Sequence, residues 1–150
     1  MPPPRRATRK TDRPIKVLFI AGFGPIGTDS MRSRALYEEA LGIGFEQGPD
    51  GYLHTGKLDG AKHFAIWPLD HAAESCFGTP RWPAKVPRPQ AWIEFDVEDV
   101  AEATAHLKRQ GYRTLVESRE ESWGQTVTRL LGPEGLLIGL TFTPSLRTDP

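Results

Sequence analysis

The sequence carries one cysteine, Cys76, so no disulfide can close within the chain. That usage fits a reducing compartment. No apolar run approaches the ~18 residues that a membrane-spanning helix needs. Charge of one sign is not in surplus: 19 Lys and Arg stand against 19 Asp and Glu. This balance argues against nucleic acid or an anionic membrane as the main partner. No apolar segment precedes Ile15, so nothing reads as a secretory signal. No G-x-S-x-G or other nucleophile motif occurs. The expectation left by these absences is a soluble, cytoplasmic globular domain.

What is present is organised unevenly. Residues 1–14 hold Arg5, Arg6, Arg9, Lys10 and Arg13 against the single acid Asp12. With Pro2, Pro3 and Pro4 this segment reads as a disordered basic tail. Residues 15–143 then read as one domain, followed by a tail over 144–150.

Within the domain, the run 15–23 is apolar and β-rich and reads as a strand. Asp29 is placed to cap a helix whose stripe is Met31, Ala35, Leu36 and Ala40, closed by Gly42. Residues 43–58 read as short strands around the turn Gly48-Pro49-Asp50-Gly51. Another strand covers 61–67 and ends at Pro68. The stretch 70–89 contains Pro80, Pro83, Pro87 and Pro89 and reads as a Pro-rich linker.

The same order then restarts. Residues 92–97 alternate at period two, with Ile93, Phe95 and Val97 on one face and Trp92, Glu94 and Asp96 on the other. Asp99 and Glu102 have capping-box spacing, and Val100, Ala103, Thr104 and Leu107 form the next helical stripe, ended by Gly111. Strands are expected over 114–117, 125–131 and 136–142, the last two joined at the turn Gly132-Pro133-Glu134-Gly135. Asp29 and Asp99 mark equivalent points 70 residues apart. An internal repeat of this kind dominates the fold reading. It predicts an α+β fold: paired βαβββ modules, about 15–70 and 90–143, forming a curved mixed sheet with a cleft and with helices on the outer face.

One isolated motif points elsewhere. Gly22-Phe23-Gly24-Pro25-Ile26-Gly27 matches G-x-G-x-x-G, and Glu46 lies 19 residues past Gly27, near where a ribose-binding acid would sit. A dinucleotide site is the reading of that motif alone. Against it, residues 43–90 offer no second helix for the crossovers of a parallel sheet. The competing reading is a Gly-rich bend in a strand before a helix.

The run Ser33-Arg34-Ala35-Leu36-Tyr37-Glu38-Glu39-Ala40-Leu41-Gly42 resembles the first-helix signature of the vicinal oxygen chelate superfamily, which includes glyoxalase I, extradiol dioxygenases, and fosfomycin and bleomycin resistance proteins. Asp96-Val97-Glu98-Asp99-Val100 resembles its strand-to-helix junction. Trp123-Gly124-Gln125, followed by Gly132-Pro133-Glu134-Gly135-Leu136-Leu137-Ile138, is similar to its terminal hairpin. The resemblance implies the same paired-module fold. It also implies that enzymes of this type hold a divalent metal from the first and last strands of each module. Three of those positions fall on Gly22 (seven before Asp29), Trp92 (seven before Asp99) and Gly139 (four after Gly135). Gly and Trp cannot ligate a metal. The fourth position, on strand 61–67, is not placed by spacing.

The resemblance therefore implies no metal and no cofactor, and a relation to the metal-free bleomycin resistance branch. The expected activity is binding of a small aromatic or hydrophobic ligand. Trp92, Trp67 and Trp123 would form an aromatic wall, joined by Glu94, Gly22, Gly139 and Arg129. Glu94 would pair with a cationic ligand or with Arg129. A homodimer is expected, because clefts of this superfamily are commonly completed between subunits. The alternatives are a glyoxalase- or dioxygenase-like enzyme with displaced ligands, a metal-free isomerase using Glu94, and the dinucleotide reading. His54, His63, His71 and His106 show no recognised metal spacing, and Cys76 has no His placed beside it by sequence.

Overall fold

The computed structural model describes residues 15–48 and 51–147. The basic segment 1–14 and the central pair of the turn at 48–51 lie outside the described residues. Eight strands form one mixed sheet: β1 Val17–Gly27, β2 Glu46–Gln47, β3 Leu53–Thr55, β4 Phe64–Pro68, β5 Ala91–Val97, β6 Val116–Glu120, β7 Thr126–Leu131 and β8 Leu137–Phe142. Their order is β2-β3-β4-β1-β5-β8-β7-β6. The two modules meet where β1 and β5 run antiparallel, while β1–β4 and β5–β8 are parallel. This is the α+β paired-module architecture that the repeat predicts.

Local chemistry accounts for the helix starts. The Asp29 carboxylate accepts from Arg32 N at 3.1 Å, and Asp99 accepts from Glu102 N at 3.0 Å. Each satisfies an amide that the first turn leaves without a partner. Helix α1 begins as α-helix over Ser30–Arg34 and continues with wider π winding over Ala35–Ala40, where Leu41 N bonds back to Leu36 O. Helix α3, Val100–Arg109, buries Val100, Ala103 and Thr104 against the convex face, in a cluster with Val97 and Leu140.

The expected stripe of α1 is not buried. Met31 is 81% exposed, Leu36 also faces outward, and α1 meets the sheet through Tyr37, edge-on to Phe64, and through Arg34, which donates to Gln47 Oε1 on β2 at 3.2 Å. A second difference is larger. Leu69–Phe77, read as linker, is helix α2, closed by Gly78 in the left-handed conformation. All four linker prolines lie beyond it, and Pro68 precedes its first residue, where the missing N–H costs no helical bond. Its buried side chains, Ala72, Ala73, Ser75 and Cys76, are small, so apolar periodicity is faint.

The strands at 114–117, 125–131 and 136–142 are found at Val116–Glu120, Thr126–Leu131 and Leu137–Phe142. Residues 144–147, read as tail, turn back on the sheet: Arg147 Nε bonds Asp96 Oδ2 at 2.9 Å. No helix among the described residues is long and apolar enough to cross a membrane.

Candidate functional site

Strand alternation puts Trp92 and Glu94 on the concave face of β5. The register then builds a row across four strands: Gly22 on β1 faces Glu94, Glu94 faces Gly139 on β8, and Gly139 faces Arg129 on β7. Two glycines in that row make room for two long side chains. A Cβ on Gly139 would lie 2.9 Å from Glu94 Cγ and 3.2 Å from Arg129 Nη1. A Cβ on Gly22 would lie 3.0 Å from the Trp92 ring.

Arg129 is fully buried. Its Nη1 donates to Glu94 Oε2 at 2.9 Å, and its Nε donates to Ser75 Oγ at 2.8 Å. Ser75 in turn donates to Glu121 Oε2 at 2.6 Å. Gln125 Nε2 donates to the other Glu94 oxygen at 2.9 Å. Arg119 pairs with Glu121 at 2.7 Å and donates to the carbonyls of Glu74 and Ser75 near the end of α2. Two guanidinium groups and two carboxylates thus tie α2 to the second module. A buried guanidinium is tolerable only with such partners.

Helix α2 lies on the concave side. With Trp82 and Leu137 it packs Trp67 and Trp92 into one apolar cluster. Trp92 Nε1 donates to Ala65 O at 3.2 Å, and its ring stands edge-on to Trp67 with centroids 5.8 Å apart. The Arg129 guanidinium lies 4.6 Å from the Trp67 ring centroid. Neither indole therefore offers an open face for stacking, which corrects the expected aromatic wall. The physical reason is α2, whose roof over these rings was not legible. Trp123 is the exposed indole, at 61%, with Nε1 donating to Gln125 at 3.0 Å.

What remains open is a cleft of about 820 Å³ bordered by Trp92, Glu94, Arg129, Trp67 and Trp123 among others. Its first-module side carries residues that the sequence reading did not group. Tyr52 stacks on His54 at 5.1 Å, His54 on His63 at 5.7 Å, and the Tyr52 hydroxyl bonds His63 Nε2 at 3.0 Å. Burial holds the His63 imidazole below its ordinary pKa, against the opposing pull of Glu94. Burial also pushes the Tyr52 phenol well up, so it keeps its proton beside the His63 ring. The signal available was modest: Tyr52 and His54 sit two apart on one strand face, with Leu53 and Thr55 buried on the other.

The glycine motif is not a phosphate-binding turn. Residues 22–27 are the second half of β1, paired with β4 and β5. Gly24 is required for strand contact: its Cβ would fall 1.9 Å from Ala65 O. This removes the basis of the dinucleotide reading, which needs a loop whose amides converge at a helix N-terminus. Glu46 lies on β2, at the edge of the sheet.

The family model of the Glyoxalase/Bleomycin resistance protein/Dioxygenase superfamily matches residues 26–140. The chain belongs to this superfamily. Among solved structures, it is similar to a variant of homoprotocatechuate 2,3-dioxygenase from B. fuscum (19% identity, TM-score 0.56, covering 86% of this chain and 33% of that one). It is also similar to a Streptomyces coelicolor methylmalonyl-CoA epimerase (22%, 0.53, covering 84% and 97%). A superfamily member from Vibrio splendidus 12B01 aligns with it at 15% identity and TM-score 0.52, over 79% and 94% of the two chains. These likenesses concern the fold. No curated protein matches the chain in sequence.

The register also supplies the strand position that spacing could not. Phe23 pairs with Phe64 as Ile93 pairs with Ile138, so Ala65 is the counterpart of Gly139. Gly22, Trp92 and Gly139, which the resemblance puts at ligand positions, and Ala65, matched to Gly139 by register, have no side chain able to ligate a metal. Among the described residues, no three His, Cys, Asp or Glu side chains converge as a metal site.

Proposed function

We propose that the protein binds a small organic molecule in its concave cleft without a metal ion at the superfamily's ligand positions. The observation that carries this reading is the donor-free set Gly22, Ala65, Trp92 and Gly139 around a cleft of about 820 Å³. Metal chemistry in such a site works by Lewis-acid charge stabilisation, which needs three or four protein ligands. The reading aligns the chain with the bleomycin resistance branch. It retains an apolar or aromatic ligand body, now placed against the edge of Trp92, the rings of Tyr52 and His63, and the exposed Trp123. A cytoplasmic homodimer belongs to the same proposal and is supported by the outward apolar side chains Met31, Leu36 and Leu41.

The test is metal analysis of untagged protein after incubation with Zn, Mn and Fe(II), followed by a Trp-fluorescence screen of aromatic compounds. Substoichiometric metal with saturable quenching is expected. About one tightly held ion per chain would overturn the reading and direct attention to lyase or dioxygenase assays.

A second reading is a metal-independent acid–base enzyme. It is favoured by the neutral His63 imidazole held by Tyr52 beside the cleft. Glu94 suits the base role less well, because both its oxygens are engaged by Arg129 and Gln125. Turnover of any cleft ligand that is abolished in His63→Gln would favour this reading over binding alone.

A further inference from the structure

Arg129 leaves one atom without a partner. Nε and Nη1 are bonded, but Nη2 is buried and makes no hydrogen bond among the described residues. Its nearest carboxylate oxygen, Glu121 Oε2, lies 3.8 Å away, beyond hydrogen-bond reach. An unpaired buried donor of this kind costs free energy that a partner would recover. The residue borders the cleft, so the cleft is where a partner can come from.

The charges nearby decide what sort of partner fits. Arg129 has Glu94 at 2.9 Å and Arg119 has Glu121 at 2.7 Å, so each cation already holds its own carboxylate. An anionic ligand would bring a third carboxylate to two guanidinium groups, of which Arg129 is wholly buried and Arg119 part-exposed. That arrangement is penalised both by repulsion and by lost hydration. A cationic ligand could not accept the Nη2 hydrogen. A pure hydrocarbon would leave it unpaired. Gln125 does not serve either: its acceptor Oε1 takes the Trp123 Nε1 hydrogen at 3.0 Å, and its Nε2 is itself a donor, to Glu94 and Thr143.

We infer that the cleft selects an uncharged ligand bearing an acceptor oxygen, such as a ketone, amide or ester carbonyl, which bonds Arg129 Nη2. This deepens the binding reading and rests on it. Arg129 is then the specificity-determining residue, with Glu94 and Glu121 acting as the charge screen that rejects anions.

The experiment is calorimetric titration of the full chain at pH 8 with three probes of one shape: methyl naphthyl ketone, naphthoate and ethylnaphthalene. The ketone is expected to bind at least about tenfold tighter than either of the others, because a site built around a hydrogen bond rejects analogues that lack it. Glu121→Gln removes one negative charge while keeping the shape. In that variant naphthoate should gain on the ketone by about tenfold or more, with ethylnaphthalene unmoved, a change that a merely structural role for Glu121 would not produce. Arg129→Met should abolish the ketone preference; Glu121→Gln carries the test if that variant does not fold.

Equal binding of ketone and ethylnaphthalene, or a preference for naphthoate, would overturn the inference while leaving the binding reading intact. In that case an enclosed water is the partner of Nη2. Binding of none of the three would overturn it too. The aromatic screen then decides separately whether the cleft binds anything, so the two failures are distinguishable.

Discussion

Glu94 and Arg129 meet across an intervening strand because Gly139 between them has no side chain. The guanidinium passes over β8 and reaches the carboxylate at 2.9 Å. Gly139→Ala would place a methyl 2.9 Å from Glu94 Cγ, which is not the free end of that side chain. A loss of about 1–3 kcal/mol is expected from such overpacking. Gly24→Ala should cost more than about 3 kcal/mol, since its Cβ would meet the backbone carbonyl of Ala65 at 1.9 Å. Gly44→Ala, with nothing within 4 Å, serves as the tolerated control. Urea midpoints of the three variants check the ranking.

Asp96 is buried and accepts four hydrogen bonds. They come from Thr141 Oγ1 at 2.5 Å, Thr143 Oγ1 at 2.8 Å, Thr143 N at 2.9 Å and Arg147 Nε at 2.9 Å. Asp96→Asn replaces one acceptor with a donor and strips Arg147 of its counter-charge. Destabilisation of about 3 kcal/mol is expected. Thermal unfolding should show it, with the C-terminal turn at Pro144–Leu146 loosening first in hydrogen exchange.

The lowered pKa of His63 makes stability depend on pH in a defined direction. Its folded pKa lies below the unfolded value of about 6.5. Between the two, the unfolded chain binds the proton and the folded chain does not, so stability rises with pH in that window. The contribution is fully present above about pH 6.5 and is lost as pH falls through the folded value. Denaturant midpoints at pH 7.5 and 5.5 should differ in this sense, and His63→Gln should shrink the difference. An unchanged slope in the variant would remove His63 as the cause.

The Cys76 thiol is buried within the α2 cluster, and burial pushes its pKa up to about 11. The thiolate is the reactive form, so little is available near neutral pH. Iodoacetamide labelling of the native protein at pH 7.5 should be far slower than in urea, and should follow opening of α2. Labelling at the rate of an exposed cysteine would show that α2 does not stay seated.

The repeat was legible because caps and alternation are local signals. Asp29 and Asp99 each announce a helix start within four residues, and 92–97 declares its faces by period two. The concave positions of Trp92 and Glu94 followed from the same alternation, which left Glu94 open to a cationic ligand or to Arg129; the structure pairs it with Arg129. The roof over the cleft did not. Helix α2 is nine residues long, is lined by alanines, serine and cysteine, and is followed by four prolines. Its stability comes from what it covers, Trp67 and Trp92, and tertiary support of that kind leaves no periodic trace. The Tyr52–His54–His63 cluster was hidden for another reason. It depends on which strands become neighbours, and the β3–β4 register is set by long-range pairing.

The placement of α2 also bears on how far the two modules can be treated as separable parts. By position in the chain it is a connector, and connectors are usually where a polypeptide can be cut, permuted or lengthened. Here the connector is interior. A break at Pro68 would leave the first half without cover for its own Trp67, while separation after Gly78 would leave the second half with Arg129 and Glu121 stripped of Ser75. Tolerance for nicks and insertions between the halves should therefore be confined to the residues beyond Gly78, and the duplicated halves have become a single indivisible unit.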